Sequence, residues 1–393
     1  MDEPLSKPNI MSSDFDRRTT LSSFATIYGI GYLSYMLMPL QIGALIESLA
    51  LNEAQAGVIA TAELLSLALA LFVIAPRIAS FSRLRLGQIG AGLVMLGHTL
   101  SACCDSYSML IVCRIITGLG AGGVLAAGNA VVASSARPQR LFAFIFTIGQ
   151  MQAACLLFVM PLFISRWGHS GAYGFLAGWT VIMFILLQQL PANTDSNEKH
   201  VTERTGMNWR VLFLPTVIAL TLVGTSDASL WTFQERIATS LGLDQETIGL
   251  VLGGALVSGM LGSGLSTLLG ARFGIIIPVC IGFTWMALCY LMITITASAN
   301  LYIFFELSYL FAYGFVIPYL FGINGELDKS GGAMVAANAC NLAGISLGPI
   351  FAGFLIVKGG YPIIGMTICS MIIMAMLLYL STARKLSADL PQT

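Results

Sequence analysis

The sequence predicts an all-α membrane protein with twelve transmembrane helices arranged as two six-helix bundles. Composition is the first reason: of 393 residues, 56% are hydrophobic and 10% charged, whereas a wetted surface usually needs about 25% charged residues. Length is the second, because apolar runs long enough to cross a hydrocarbon core of about 30 Å as helices recur down the whole chain. The third is repetition: one offset of 192 residues lays the second half over the first without a gap.

Breaks rich in glycine, proline and charge separate the spans. The first, 20–46, follows Arg17 and Arg18 and stops at Glu47. The second, 55–76, follows LNEAQ and ends at Pro76 and Arg77. The third, 84–105, runs from Arg83 to Asp105, and the fourth, 107–134, ends before Arg137 and Pro138. Arg140 and Arg166 bracket the fifth, 141–164; the turn GHSG then opens the sixth, 170–190. The stretch PANTDSNEKHVTERTGMNWR is the most polar interior segment and reads as an aqueous linker. It divides a first bundle, 1–190, from a second, 209–393, with 191–208 as the linker. Beyond it, 209–236 ends at Glu235 and Arg236, and 245–269 ends at Gly270. The spans 274–296 and 299–323 follow, then 332–357 as far as Lys358, and 361–382 before Arg384 and Lys385.

An even number of spans puts both termini on one side. With that side cytoplasmic, 15 of the 19 Lys and Arg fall inside and three outside, which fixes the orientation by the excess of basic residues in cytoplasmic segments. The formal net charge is zero, so nothing electrostatic points to nucleic acid. The eight cysteines sit in apolar segments with no CxxC pair, and read as small core residues rather than disulfides or a metal site. No cofactor is expected. The first 19 residues are polar and of mixed charge, unlike a cleavable signal peptide.

In the repeat, Gly57 falls on Gly249, Leu51 on Leu243, Ile89 on Ile281, Gly90 on Gly282, Gly122 on Gly314 and Gly168 on Gly360. The loop LNEAQAG also lies over LDQETIG. Parallel halves related by an axis along the membrane normal are one plan of secondary transporters, with the substrate held between them.

At this point the chain resembles the major facilitator superfamily over nearly its full length. The resemblance rests on the fourth-span arginine with its spaced glycines, Arg114, Gly118 and Gly120, and on the loop after the second span. That loop, APRIASFSRL, keeps Arg83 but puts Ala79 where the family's G-x-x-x-D-R-x-G-R-R motif has aspartate; the second-half loop LGARFG puts Ala271 there. The family is thought to latch its halves through that aspartate, so the departure puts such a latch in doubt. The fifth-span glycine-proline motif of many drug/proton antiporters is also missing from GQMQAACLLFVMPLF, although LGPIFAG occurs in the eleventh span.

The resemblance implies that spans 1, 4, 7 and 10 line a central cavity. Arg114 and Glu306 stand 192 apart, at matched depth in the fourth and tenth spans. A permanent charge there needs a partner. Two protein partners are open: Glu63, at similar depth in the second span, which makes a structural pair, or Glu306, which makes a pair across the cavity; a direct contact with a substrate carboxylate is the third reading. Asp227 and Trp231, four apart, share a face of the seventh span. Glu306, Tyr309 and Tyr313 share a face of the tenth, and Tyr28, Tyr32 and Tyr35 a face of the first. Such stripes can be packing or an interfacial belt; three cavity helices each with a polar-aromatic face favour a binding site. A carboxylate in so dry a place suits a proton carrier. Asn338 and Asn341 in the eleventh span, with Gln150 and Gln152 in the fifth, read as interhelical bonds or substrate contacts. Glu235 and Arg236 read as an interfacial pair, and His98 as a scaffold residue with proton relay as the lesser alternative.

GHSG, Gly168 to Gly171, resembles the serine motif of rhomboid proteases, but Ser170 falls in a short outer turn and His169 is its sequence neighbour. No phosphate-binding loop for ATP occurs. The expectation is therefore not an enzyme but a monomeric secondary transporter in the cytoplasmic membrane, surrounded by lipid. It would move a small amphipathic organic solute, zwitterionic or cationic, with protons, and export is preferred. Proton-symport uptake of a small organic acid or nutrient is the alternative, and a non-transporting sensor or scaffold on the same fold is the third class.

Overall fold

Across a bilayer every backbone N–H and C=O must be paired within the protein, which leaves an apolar chain of this length little choice but helix. The computed structural model describes residues 17–389 except 136, 192–208, 271, 273, 275 and 328–331. Among the described residues there is no strand. The linker from 192 onward, Ala271 and both chain ends lie outside the described residues.

The helices in order are α1 (Arg17–Phe24), α2 (Leu33–Met36), α3 (Met38–Leu49), α4 (Glu53–Ile74), α5 (Arg83–Ala102), α6 (Tyr107–Ala133) and α7 (Pro138–Leu187). They continue with α8 (Trp209–Ser240), α9 (Gln245–Leu269), α10 (Ile276–Ile295), α11 (Ala299–Leu327) and α12 (Gly332–Asp389). Eight helices among the described residues are long and apolar enough to cross a membrane. Their outward faces carry large apolar side chains, with Ile89 65% and Ile281 64% exposed, as a lipid-facing surface requires.

Two of the eight are too long to be single crossings. α7 has 50 residues and α12 has 58, about 75 Å or more at 1.5 Å per residue. α7 doubles back at Gly168 (φ 55°). The rings of Phe163 and Phe175 lie 4.9 Å apart, where a continuous helix would separate these positions by about 18 Å. Glycine is needed because a side chain is strained at positive φ. α12 breaks at Gly359 and at Gly360 (φ 73°), and Gly168 and Gly360 are the pair the repeat predicts.

The segment predicted as one first span is instead broken. Seven residues, Ala25–Gly31, form π-helix between α1 and α2, and α3 restarts at Met38 with Pro39 in its first turn. Pro39 has no N–H to give the Tyr35 carbonyl four residues before it. That carbonyl accepts the Trp231 indole N–H from α8 at 3.0 Å instead. A fault in one helix thus becomes a bond to another.

The N-terminus of α4 is closed by a capping box, Asn52 and Gln55 bonding each other's backbone N–H. Glycines on α6 then set how close α4 comes. A β-carbon at Gly118 would stand 2.1 Å from Glu63 O, and one at Gly122 would stand 2.6 Å from Leu67 O. Small residues allow this backbone approach in a medium where helices gain little by hydrophobic contact.

α4 and α8 pack along α12, α7 packs along α9, and α3 along α8. Bonds between residues before the linker and residues after it form a seam. Ile350 N–H donates to Thr61 Oγ1 at 3.0 Å, and Ser346 Oγ to Leu64 O at 3.1 Å. A β-carbon on Gly57 would stand 2.4 Å from Pro349 O, and one on Gly249 would stand 2.5 Å from Leu157 O. Gly57 and Gly249, like Leu157 and Pro349, are 192 apart, so one contact is made twice.

Candidate functional site

Arg114 lies on α6 and is 1% exposed. Its Nη1 meets Glu63 Oε2 and His98 Nδ1, each at 3.3 Å. Its Nη2 donates to Gly97 O at 3.0 Å and to Ser101 Oγ at 2.6 Å. The ring of Tyr173 covers the guanidinium, 4.3 Å from Cζ to the centroid, a favourable arrangement of cation on π-face. A guanidinium only donates, so the His98 nitrogen facing it accepts. Of the two partners open in the sequence, Glu63 is the one in place, and α4, α5 and α7 together close the charge inside the first half.

Asp227 on α8 sits at the seam. Its Oδ2 accepts from the Tyr35 hydroxyl of α2 at 3.1 Å, and its Oδ1 from the Tyr290 hydroxyl of α10 at 3.5 Å. Residues 35 and 227 are themselves 192 apart. Trp231, one turn on along the same face of α8, makes the bond to Tyr35 O. Tyr35 is thus held at both its side chain and its backbone by one helix of the other half.

Glu306 on α11 is fully buried, and neither carboxylate oxygen has a hydrogen-bond partner among the described residues. It is close enough to Asp227 for their charges to interact. Tyr309 is also fully buried, and its ring lies 5.5 Å from that of Tyr290. Tyr313 lies within reach of the Asp227 charge and is half-buried. The structure therefore brings together Asp227, Glu306, Trp231, Tyr309 and Tyr313. It places Arg114 and Glu63 in a separate cluster.

Other predicted residues fall elsewhere. Tyr28 packs among Tyr32, Phe142 and Phe146, with ring centroids 5.8 to 6.5 Å apart, and its ring lies against Gly149. Asn341 bonds Leu220 O at 3.2 Å and ties α12 to α8, whereas Asn338 is exposed. Gln152 donates to Tyr28 O at 3.2 Å. Glu235 is 1% exposed, and its Oε1 accepts from Gln245 at 2.7 Å and Thr239 at 3.0 Å.

Tyr290 and Gln234 belong to the second cluster and were not singled out in the sequence. Gln234 lies seven residues after Asp227, two turns along the same face, and that spacing could have found it. Tyr290 sits on a helix outside the four expected to line the cavity, and nothing in its local sequence marks it.

The family model described as Major Facilitator Superfamily matches residues 19–323. The chain belongs to the Major Facilitator Superfamily. Among solved structures it is similar to a bacterial homologue of the human lysosomal transporter Spinster, inward-facing and unoccupied. The TM-score is 0.74 at 15% identity, covering 95% of this chain and 99% of that one. It is also similar to the nucleoside transporter NupG, with TM-score 0.72 at 11% identity, covering 94% and 99%. A search of curated proteins by sequence finds no match. As a member of this superfamily the chain is an integral membrane transporter and not an enzyme.

Proposed function

We propose that this superfamily member is a twelve-span secondary transporter working by alternating access, coupled to protons. The spans form a first bundle over 1–190 and a second over 209–393, joined by the linker. Helix starts at Glu53 and Gln245, and at Tyr107 and Ala299, stand 192 apart, as do the glycine breaks and the doubled seam contact; all support the two-bundle plan.

The observation that carries the function is a buried carboxylate pair at the seam with no basic side chain among its bonding partners. Among the described residues Asp227 is bonded only by tyrosine hydroxyls, and Glu306 by no side chain or backbone group. Two such acids beside Trp231, Tyr35 and Tyr313 suit a cation on an apolar frame, because aromatic faces also attract positive charge. The substrate class we assign is a small amphipathic organic solute, cationic or zwitterionic. The protein acts as a monomer in the cytoplasmic membrane with both termini cytoplasmic.

Reconstitution in proteoliposomes under an imposed pH gradient tests the proposal. Labelled organic cations and zwitterions should accumulate against their gradient, and Asp227→Asn should abolish that accumulation while the protein still purifies as a folded monomer. Export is the preferred direction, and inside-out against right-side-out vesicles distinguish it from uptake. Proton-independent accumulation, or none with any solute of this class, rejects the reading.

A further inference from the structure

With both termini cytoplasmic, as proposed above, three of the 19 Lys and Arg lie outside: Arg166, Arg236 and Lys358. Basic residues concentrate on the cytoplasmic side of membrane proteins, so each of the three asks for a reason. Arg166 and Lys358 stand 192 apart, just before the glycine breaks of α7 and α12. Both are exposed, and neither has a hydrogen bond or an ion pair among the described residues.

Each ends a stripe along one helix face. Leu347, Ile350, Phe351, Phe354 and Leu355 lead to Lys358 at helical spacing, and the six line a groove of about 370 Å³. Eleven residues at 1.5 Å each make the stripe about 16 Å long, which matches one leaflet of a hydrocarbon core about 30 Å thick. In the first half Cys155, Phe158 and Leu162, all exposed, lead to Arg166 in the same way. α12 is also a seam helix: a β-carbon on its Gly353 would stand 2.3 Å from Glu53 O of α4.

The repeat shows why a groove opens at Lys358. Beside Arg166 the ring of Phe163 packs on Trp167 and Phe175, with centroids 6.1 and 4.9 Å away. The positions 192 further on hold Leu355, Gly359 and Thr367. Three large rings are thus replaced by a leucine, a glycine and a threonine, which fill far less space.

In a bilayer such a groove takes an acyl chain, and a bare ammonium at headgroup depth takes a phosphate. A zwitterionic headgroup brings its own cation to compete with Lys358, whereas a lipid of net negative charge does not. We infer that Lys358 and its stripe form a site for one anionic phospholipid, the phosphate on the ammonium and one acyl chain in the groove. The chain then backs the helix that closes against α4 along the seam. That Lys358 lies at headgroup depth rests on the twelve-span reading above.

The test counts lipids held by the purified full chain. The protein in detergent is titrated with dioleoyl phosphatidylglycerol or with dioleoyl phosphatidylcholine, and retained lipids are counted by native mass spectrometry. One phosphatidylglycerol should be retained in preference to phosphatidylcholine by about fivefold, the effect of one basic side chain at an anionic surface. Lys358→Gln should remove the preference and Lys358→Arg should keep it. Arg166→Gln, which removes the same charge at the same depth beside the filled position, should leave it. Leu347→Trp fills the deep end of the groove without changing charge and should displace the lipid. Equal retention of the two lipids overturns the inference, as does a preference that survives in Lys358→Gln. A loss as large in Arg166→Gln, or a lipid still held in Leu347→Trp, reduces the site to surface charge and is equally fatal. Transport is not measured, so a lost preference rejects this site and leaves the transport reading, while absent flux rejects that reading and leaves the site.

Discussion

Arg114 shows at the scale of one residue how a buried charge is kept. Four hydrogen bonds and one aromatic face surround it, and among the described residues Glu63 supplies the only carboxylate. Breaking a buried pair by removing one partner costs about 3–5 kcal/mol. Glu63→Gln should therefore lower the unfolding midpoint sharply, and Arg114→Gln with Glu63→Gln should cost less than the two single changes added together. Additive losses would mean the two side chains are not coupled. Sequence gave the depth of Arg114, Glu63 and Glu306 alike, because depth follows from counting along a helix. It could not give direction around the helix axis. Gly118 against Glu63 O settles that direction, and its effect depends on which helix lies opposite.

At the scale of elements, the bilayer made most of the helices readable, since an apolar run must be helix and a charged glycine-rich stretch must be a break. The break in the first span was harder to read, although its cause is visible as Pro39. Nothing in the sequence says that the carbonyl released by Pro39 has an indole waiting for it. Replacing Trp231 by Phe keeps the ring and removes the N–H; it should loosen the seam with little effect on α8 itself. Hydrogen exchange should accelerate around α2 and α3 and not in α5; protection unchanged at both would disprove the link. Gly168→Ala tests the turn in α7. At φ 55° and with a β-carbon 2.5 Å from Ser48 Oγ, it should cost about 1–3 kcal/mol in stability. The same change at Gly174, where a β-carbon meets nothing within 4 Å, should cost far less.

For the whole molecule, the decisive surface is the seam between the halves, where backbone meets backbone because glycine stands at Gly57, Gly249 and Gly353. A large side chain at any of them cannot be accommodated without moving a helix of the other half. Gly57→Leu should hold the seam apart. Spin labels at the paired loop positions 51 and 243, in a cysteine-free background, should then report a longer and broader separation, with transport lost. An unchanged distance distribution would show that the seam yields elsewhere. The repeat offset was legible in the sequence, but that the repeated glycines face the opposite half emerged only from the fold.

The bond from Trp231 to the Tyr35 carbonyl bears on the effort of opening. Because Pro39 already denied that carbonyl its helical donor, the parting of the halves proposed above would break no hydrogen bond from residue 39 at this point. It returns one carbonyl and one indole N–H to water, which satisfies both. On the alternating-access proposal the seam here would act as a perforation: the chain is cut in advance along the line of opening, and would close again without having to refold.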